Sequence, residues 1–190
     1  ISNNKSIDER NKMNKKVKTI IIIICLFLIV YFLQINFFSW FTIRGIQPNL
    51  FVILILFIGL FAGKKLGGIS GLIIGIILDF LIGKSIGYTG LFLGIVGLLG
   101  EYFDKNFSKE SRLAIILMSG GSTILYEIGM YVVNILKYSV EIEIIPFLII
   151  LTVETIFNIL IVMILYPGIR KLGYYIESIY KGNKILTRYF

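Results

Sequence analysis

A chain of 190 residues with no histidine, one cysteine, one tryptophan and three prolines lacks most of the parts from which active sites are built. Histidine is the commonest general base and metal ligand, so its absence removes the usual acid–base and metal chemistry. It also leaves no Ser–His or Cys–His pair to activate a nucleophile. Cys25 alone can form no intrachain disulfide, and its isoleucine-rich surroundings leave a thiol inert. Acids are scarce, 11 against 19 lysines and arginines. No metal and no cofactor are expected, and catalysis, though not excluded, lacks its usual components.

What is present is apolar. Hydrophobic residues make up 57% of the chain and the mean hydropathy is +0.89, above the ~45–50% apolar content of soluble domains. The length fits one compact bundle and leaves no room for a second folded domain. A net charge of +8 suggests nucleic acid until its distribution is read. The basic residues lie in tails and between apolar runs, without a basic–aromatic platform. Membrane lipid with anionic headgroups is therefore the expected partner, and nucleic acid is not.

The first apolar run, Thr19–Ile43, carries no charge and is long enough to cross about 30 Å of hydrocarbon. Its basic lead-in resembles a signal sequence, but the run is too long and no small-residue cleavage site comes after it. An uncleaved helix is expected, with Met13 an alternative start and residues 1–12 a polar, disordered extension. After the hinge Arg44-Gly45-Ile46-Gln47-Pro48 come the runs Asn49–Gly63, Leu66–Gly83 and Ile86–Gly100. Lys64 and Lys65 separate the first two of these. A polar loop, Glu101–Arg112, precedes Leu113–Leu136 and Ile144–Tyr166, the latter closed by Pro167-Gly168.

Six crossings place both termini on one side. Of the 19 lysines and arginines, all but Arg44, Lys84 and Lys137 then fall on that side. The positive-inside rule puts it in the cytoplasm. The expected architecture is an all-α integral membrane protein of six transmembrane helices in one bundle. Residues 1–16 form a polar N-terminal extension, 17–168 the transmembrane domain and 169–190 a basic tail. In that tail Tyr174, Tyr175, Ile176 and Tyr180 alternate with Lys181, Lys184 and Arg188, as in an interfacial amphipathic segment.

Three acids fall inside the expected spans: Asp79, Glu127 and Glu154. A charge at membrane depth costs about 2.5–3.5 kcal/mol on insertion scales, and no basic residue lies inside a span to offset it. Asp79, one turn before Gly83, is expected to anchor the Gly83–Thr89 turn by hydrogen bonding, with transport or proton relay the alternative. Glu127 sits beside Tyr126 and Gly129. Glu154 and Asn158, one turn apart, share a helix face and read as helix-to-helix hydrogen bonding.

Gly67, Gly71 and Gly75 step by four and drift about 40° per step around the helix. Gly87, Gly90, Gly94 and Gly97 alternate three and four, which keeps them on one narrow seam. Both rows suit close helix packing or a partner interface, and the fourth helix suits it along more of its length.

Gln47-Pro48-Asn49 opening an apolar helix, then Gly71-x3-Gly75-x3-Asp79-x3-Gly83-x3-Gly87, then a glycine-rich helix, resembles the rod-shape-determining MreD family. The likeness covers about residues 13–172 and extends to Asn158 and Pro167 in the last helix. Lys84 departs from the small polar residue common there. The resemblance implies a non-enzymatic scaffold of the bacterial elongation machinery. It would bind the single-span MreC and link the MreB cytoskeleton to RodA and its penicillin-binding partner. It implies a fold similar to the substrate-binding subunits of energy-coupling-factor vitamin transporters, and such a subunit is the alternative function. The glycine face of the fourth helix is the expected seat of the MreC helix.

Overall fold

Pro48 and Gly63 bracket the element around which the molecule is built. Between them lies α2 (Leu50–Ala62), capped by Asn49, whose Oδ1 accepts from the Val52 N–H at 3.4 Å. It ends at Gly63, where φ is 92°. All 13 residues of α2 are apolar or glycine, and all are buried. A helix apolar on every face needs cover all round, and α2 touches each of the five other helices.

The computed structural model describes residues 2–82, 87–107, 109–138 and 143–180, with the backbone alone for 2–9, 11, 12 and 138. The other helices are α1 (Ser2–Phe32), α3 (Lys64–Ile82), α4 (Tyr88–Asn106), α5 (Arg112–Tyr138) and α6 (Ile144–Tyr180). A single π-helical turn, Leu33–Phe37, extends α1. No strand forms among the described residues. Ile43 and Ile46 pair their backbones at 3.0 Å across a tight turn in which Arg44 and Gly45 both have positive φ.

Neighbouring helices alternate in direction. The end of α1 meets the start of α2 through Gln34 and Leu50, and the start of α3 meets the end of α4 through Lys64 and Glu101. Tyr166, late in α6, bonds to Glu110, just before α5. The start of α1 and the end of α6 thus lie at one end of the bundle. Helix α1 is the least covered, with Thr19, Ile23 and Gln34 the only buried side chains described along it and its π turn. Cys25 lies on its exposed side, not in a core.

Among the described residues, four helices are long and apolar enough to cross a membrane: α1 with its π turn, α3, α5 and α6. The expected number was six. At 1.5 Å per residue, the 13 residues of α2 reach only about 20 Å, and α4 carries Glu101, Asp104 and Lys105 in its last turns.

Three boundaries differ from the sequence reading. Helix α4 runs on to Asn106, past the expected start of a loop, because Glu101 and Lys105 pair at 2.9 Å one turn apart. The backbone is already helical from Ser2, where a disordered extension was expected. Nothing between Ser2 and Lys12 is proline or glycine, so nothing breaks the helix. Helix α6 passes through Pro167 to Tyr180. Proline there removes one backbone hydrogen bond. The helix beyond it stays docked because Gly173, Ile176 and Glu177 are buried. The expected closure at Pro167 and the separate amphipathic tail from 169 are therefore replaced by one continuous helix as far as Tyr180. Residues 181–190 lie outside the described residues, as do Gly83, Lys84 and the loop 139–142.

Candidate functional site

The start of α2 is held by side chains from three other helices. A π turn contains an extra residue and rotates the side chains around it, and here it turns Gln34 inward. The Gln34 Nε2 donates to the Pro48 carbonyl at 2.8 Å, and its Oε1 accepts from the Leu50 N–H at 3.0 Å. The Asn49 N–H donates to Asn158 Oδ1 at 2.9 Å. Asn158 Nδ2 donates to Thr123 Oγ1 at 2.9 Å, and that hydroxyl donates to the Ser119 carbonyl at 3.0 Å. Asn158 and Thr123 are fully buried and Gln34 nearly so.

This chain of bonds answers the problem posed by a helix N-terminus inside an apolar bundle, where the first N–H groups have no intrahelical partner. Asn49, Pro48 and Asn158, each singled out in the sequence, come together here. Gln34 and Thr123 were missed. The only signal for Gln34 was its amide, one of two with Asn36 in the long charge-free first run.

Next to these bonds lies a second polar group. Glu154, buried in α6, meets the Glu127 carboxyl from α5 and the Asn49 side chain. Tyr126 reaches Asn49 and Thr89. Asn49 is common to both groups. Glu154 meets Asn49 directly and Glu127 meets Glu154, each acid brought in by its own helix. One Glu154 oxygen, Oε1, has no hydrogen-bond partner.

Asp79 is 2% exposed. Its Oδ2 accepts from the Gly87 N–H at 2.7 Å. Gly87 is the N-cap of α4 with φ of 98°, a conformation that favours glycine. Glycine has no side chain to cap with, so α3 supplies the capping carboxylate to α4. A carboxylate also suits the positive end of the helix dipole.

The glycines lie at the α2–α3–α4 junction. A Cβ on Gly71 would fall 2.3 Å from the Leu93 carbonyl oxygen. On Gly75 it would fall 2.3 Å from Gly90 Cα, and on Gly97 2.2 Å from the Gly67 oxygen. Gly67 and Gly97 also meet Gly59 of α2, and Gly90 and Gly94 meet Leu72. This corrects the expectation of a glycine face open to a partner helix. Backbones of the same chain occupy that face. All three glycines of the four-step row take part because such rows incline to the helix axis, and a helix crossing at an angle tracks along them.

A third cluster, unforeseen from sequence, ties down the opposite end. Lys109 Nζ lies 2.7 and 2.8 Å from the two Glu177 oxygens and 2.9 Å from Asp104 Oδ1. It also lies 5.3 Å from the centre of the Phe61 ring. Burial opposes the charge on Lys109, but the hydrogen bonds it donates to Glu177 and Asp104 outweigh it, and its pKa is raised above the ordinary lysine value. Phe61 in turn packs on Gly173, where a Cβ would fall 2.4 Å from the ring. The cluster joins the α4–α5 loop, α2 and the far end of α6. No sequence spacing links Asp104, Lys109 and Glu177, so only the fold reveals it. Among the described residues, no group of three or more His, Cys, Asp or Glu is placed to hold a metal.

The family model described as rod shape-determining protein MreD matches residues 14–176. The chain belongs to the MreD family. It is accordingly a rod-shape-determining membrane protein of the cell-elongation machinery. No curated protein and no solved structure matches this MreD chain at a significant level. These comparisons show no likeness to vitamin-transporter subunits.

Proposed function

We propose that this MreD chain is a non-enzymatic scaffold of the elongation machinery, binding MreC in the membrane of a bacterial cell and linking the MreB cytoskeleton to peptidoglycan synthesis by RodA and its penicillin-binding partner. The observation that carries the reading is the family match over residues 14–176. The placement of the polar residues supports it. Asp79, Asn49 and Asn158 are engaged in holding helices.

In this reading all six helices cross the bilayer and both termini face the cytoplasm. Helix α2 needs no full lipid-facing length because other helices sheathe it, and the alternating helix directions bring the chain back to one end. The distribution of lysine and arginine supplies the orientation. With the glycines occupied internally, the uncovered apolar face of α1, including Ile21, Ile24 and Leu28, is the surface on which a single-span partner helix has room to lie.

Affinity purification of the tagged chain from cells that also make MreC tests the reading. MreC is expected in the eluate, and photocrosslinkers at Ile24 and Leu28 are expected to trap it. Clean recovery of the folded chain without MreC overturns the proposal.

A further inference from the structure

At the end of the bundle that carries Lys109, a cleft of about 80 Å³ opens between α5 and α6. Its lining divides by chemistry. Ile115, Ile116, Val162 and Met163 make an apolar floor, and Arg112 and Tyr166 stand at its polar limit. The Arg112 guanidinium lies 5.6 Å from the centre of the Tyr166 ring. It forms no ion pair among the described residues. Arg170, one turn beyond Tyr166 on α6, lies 5.6 Å from the Tyr174 ring and brings a second guanidinium to the same region. Glu110 is the carboxylate nearby. Its backbone carbonyl accepts from the Tyr166 hydroxyl at 2.8 Å, and its Oε1 accepts from Tyr174 at 3.5 Å.

Two further facts fix the setting. Arg112 is the first residue of α5, so the positive end of that helix dipole adds to its charge. The residues flanking the cleft, Leu113, Leu117 and Ile164, are 68%, 65% and 74% exposed. On two helices apolar enough to span a membrane, such residues face lipid. A groove at the edge of an apolar belt, floored by isoleucine, valine and methionine and headed by arginine, matches a molecule with an anionic head and a hydrocarbon tail.

We propose that the α5–α6 cleft binds one anionic glycerophospholipid, its phosphate on Arg112 with Arg170 beside it and the first methylenes of one acyl chain against Ile115, Ile116, Val162 and Met163. Arginine suits this role because its planar fork meets two phosphate oxygens at once, and Tyr166 holds that fork in place through its ring. The volume suits only a few methylenes, so the rest of the chain lies along the outer surface of α5 and α6. The site does not depend on MreC and is independent of the scaffold reading above.

The test is native mass spectrometry of the full chain, stripped of lipid in mild detergent and titrated with phosphatidylglycerol or phosphatidylcholine. The wild-type chain is expected to retain one phosphatidylglycerol with about a fivefold preference, the order of one arginine's attraction to a net-negative headgroup, since choline offsets the phosphate of phosphatidylcholine. Arg112→Gln should bring phosphatidylglycerol down to the phosphatidylcholine level, and Arg112→Lys should retain part of the preference. Met163→Trp, which fills the cleft, should weaken binding of both lipids. Equal retention of the two lipids by the wild type overturns the proposal, as does an Arg112→Gln chain that keeps the preference. Undecaprenyl pyrophosphate displacing phosphatidylglycerol at equimolar amounts overturns the choice of occupant, assigning the cleft to a lipid-linked intermediate.

Discussion

The contact between Asp79 and Gly87 separates charge from hydrogen bonding. The Gly87 N–H needs an acceptor at 2.7 Å, and an amide oxygen can serve as well as a carboxylate. Asp79→Asn should therefore leave thermal stability in detergent nearly unchanged. Asp79→Ala should lower it by about 1 kcal/mol, the low end of the cost of an unpaired donor because the Gly87 N–H is part-buried. Loss of stability in Asp79→Asn equal to that in Asp79→Ala would show that the charge itself is required. Asn158 makes the stricter demand, since it accepts from Asn49 with one atom and donates to Thr123 with the other. Asn158→Asp keeps the acceptor, loses the donor and places a charge at a fully buried site. Asn158→Asp should accordingly unfold at lower temperature than Asn158→Ala.

Lys109 yields a prediction in pH. Its folded pKa is raised above 10.5, so protonation favours the folded state. That contribution is fully present below the unfolded value of 10.5 and is lost as pH rises through the folded value. Melting temperature should be flat near neutrality and fall above about pH 10.5, and Lys109→Met should remove that alkaline step. Lys109→Met should also cost about 2 kcal/mol near neutral pH, less than a fully buried pair because some solvent reaches the cluster. An alkaline transition unchanged in Lys109→Met would refute the assignment.

Between neighbouring helices, backbone contact decides the packing. Gly71→Ala would put a methyl 2.3 Å from the Leu93 oxygen, and backbone cannot move aside as a flexible side chain does. The variant should lose the monodisperse folded species on size exclusion. Gly121→Ala, where a Cβ meets nothing within 4 Å, should elute as wild type. If both behave alike, the α3–α4 seam is not what holds the bundle. This packing was partly legible in sequence, because glycines at intervals of three and four mark a close approach. Their allocation was not. Spacing says that backbones can meet but not whose backbones meet, and a partner helix would fit the same pattern as α3.

The fate of α6 shows the same limit. Pro167 is a stop signal read locally, and only the seating of Gly173 and Glu177 on Phe61 and Lys109 carries the helix past it. The polar cluster around Asn49 was legible as separate residues, since amides and acids stand out in apolar runs. Gln34 was hidden because its role depends on a π turn, which the sequence does not announce. Its convergence with Asn158 spans more than a hundred residues of chain.

Taken whole, the molecule is a sheathed apolar helix whose N-terminal end is pinned by polar side chains and whose far end is closed by an ion cluster. Which of those ends faces the cytoplasm is the claim on which the functional reading turns. A Cys25→Ala background removes the only native thiol, and single cysteines are then placed at Trp40 and Lys105. Trp40 is 86% exposed and the Lys105 side chain 58%. Labelling with a membrane-impermeant maleimide in intact bacteria is predicted to modify Trp40→Cys at once and Lys105→Cys only after the membrane is opened. Modification of Lys105→Cys from outside, or of both positions from the same side, would contradict the account.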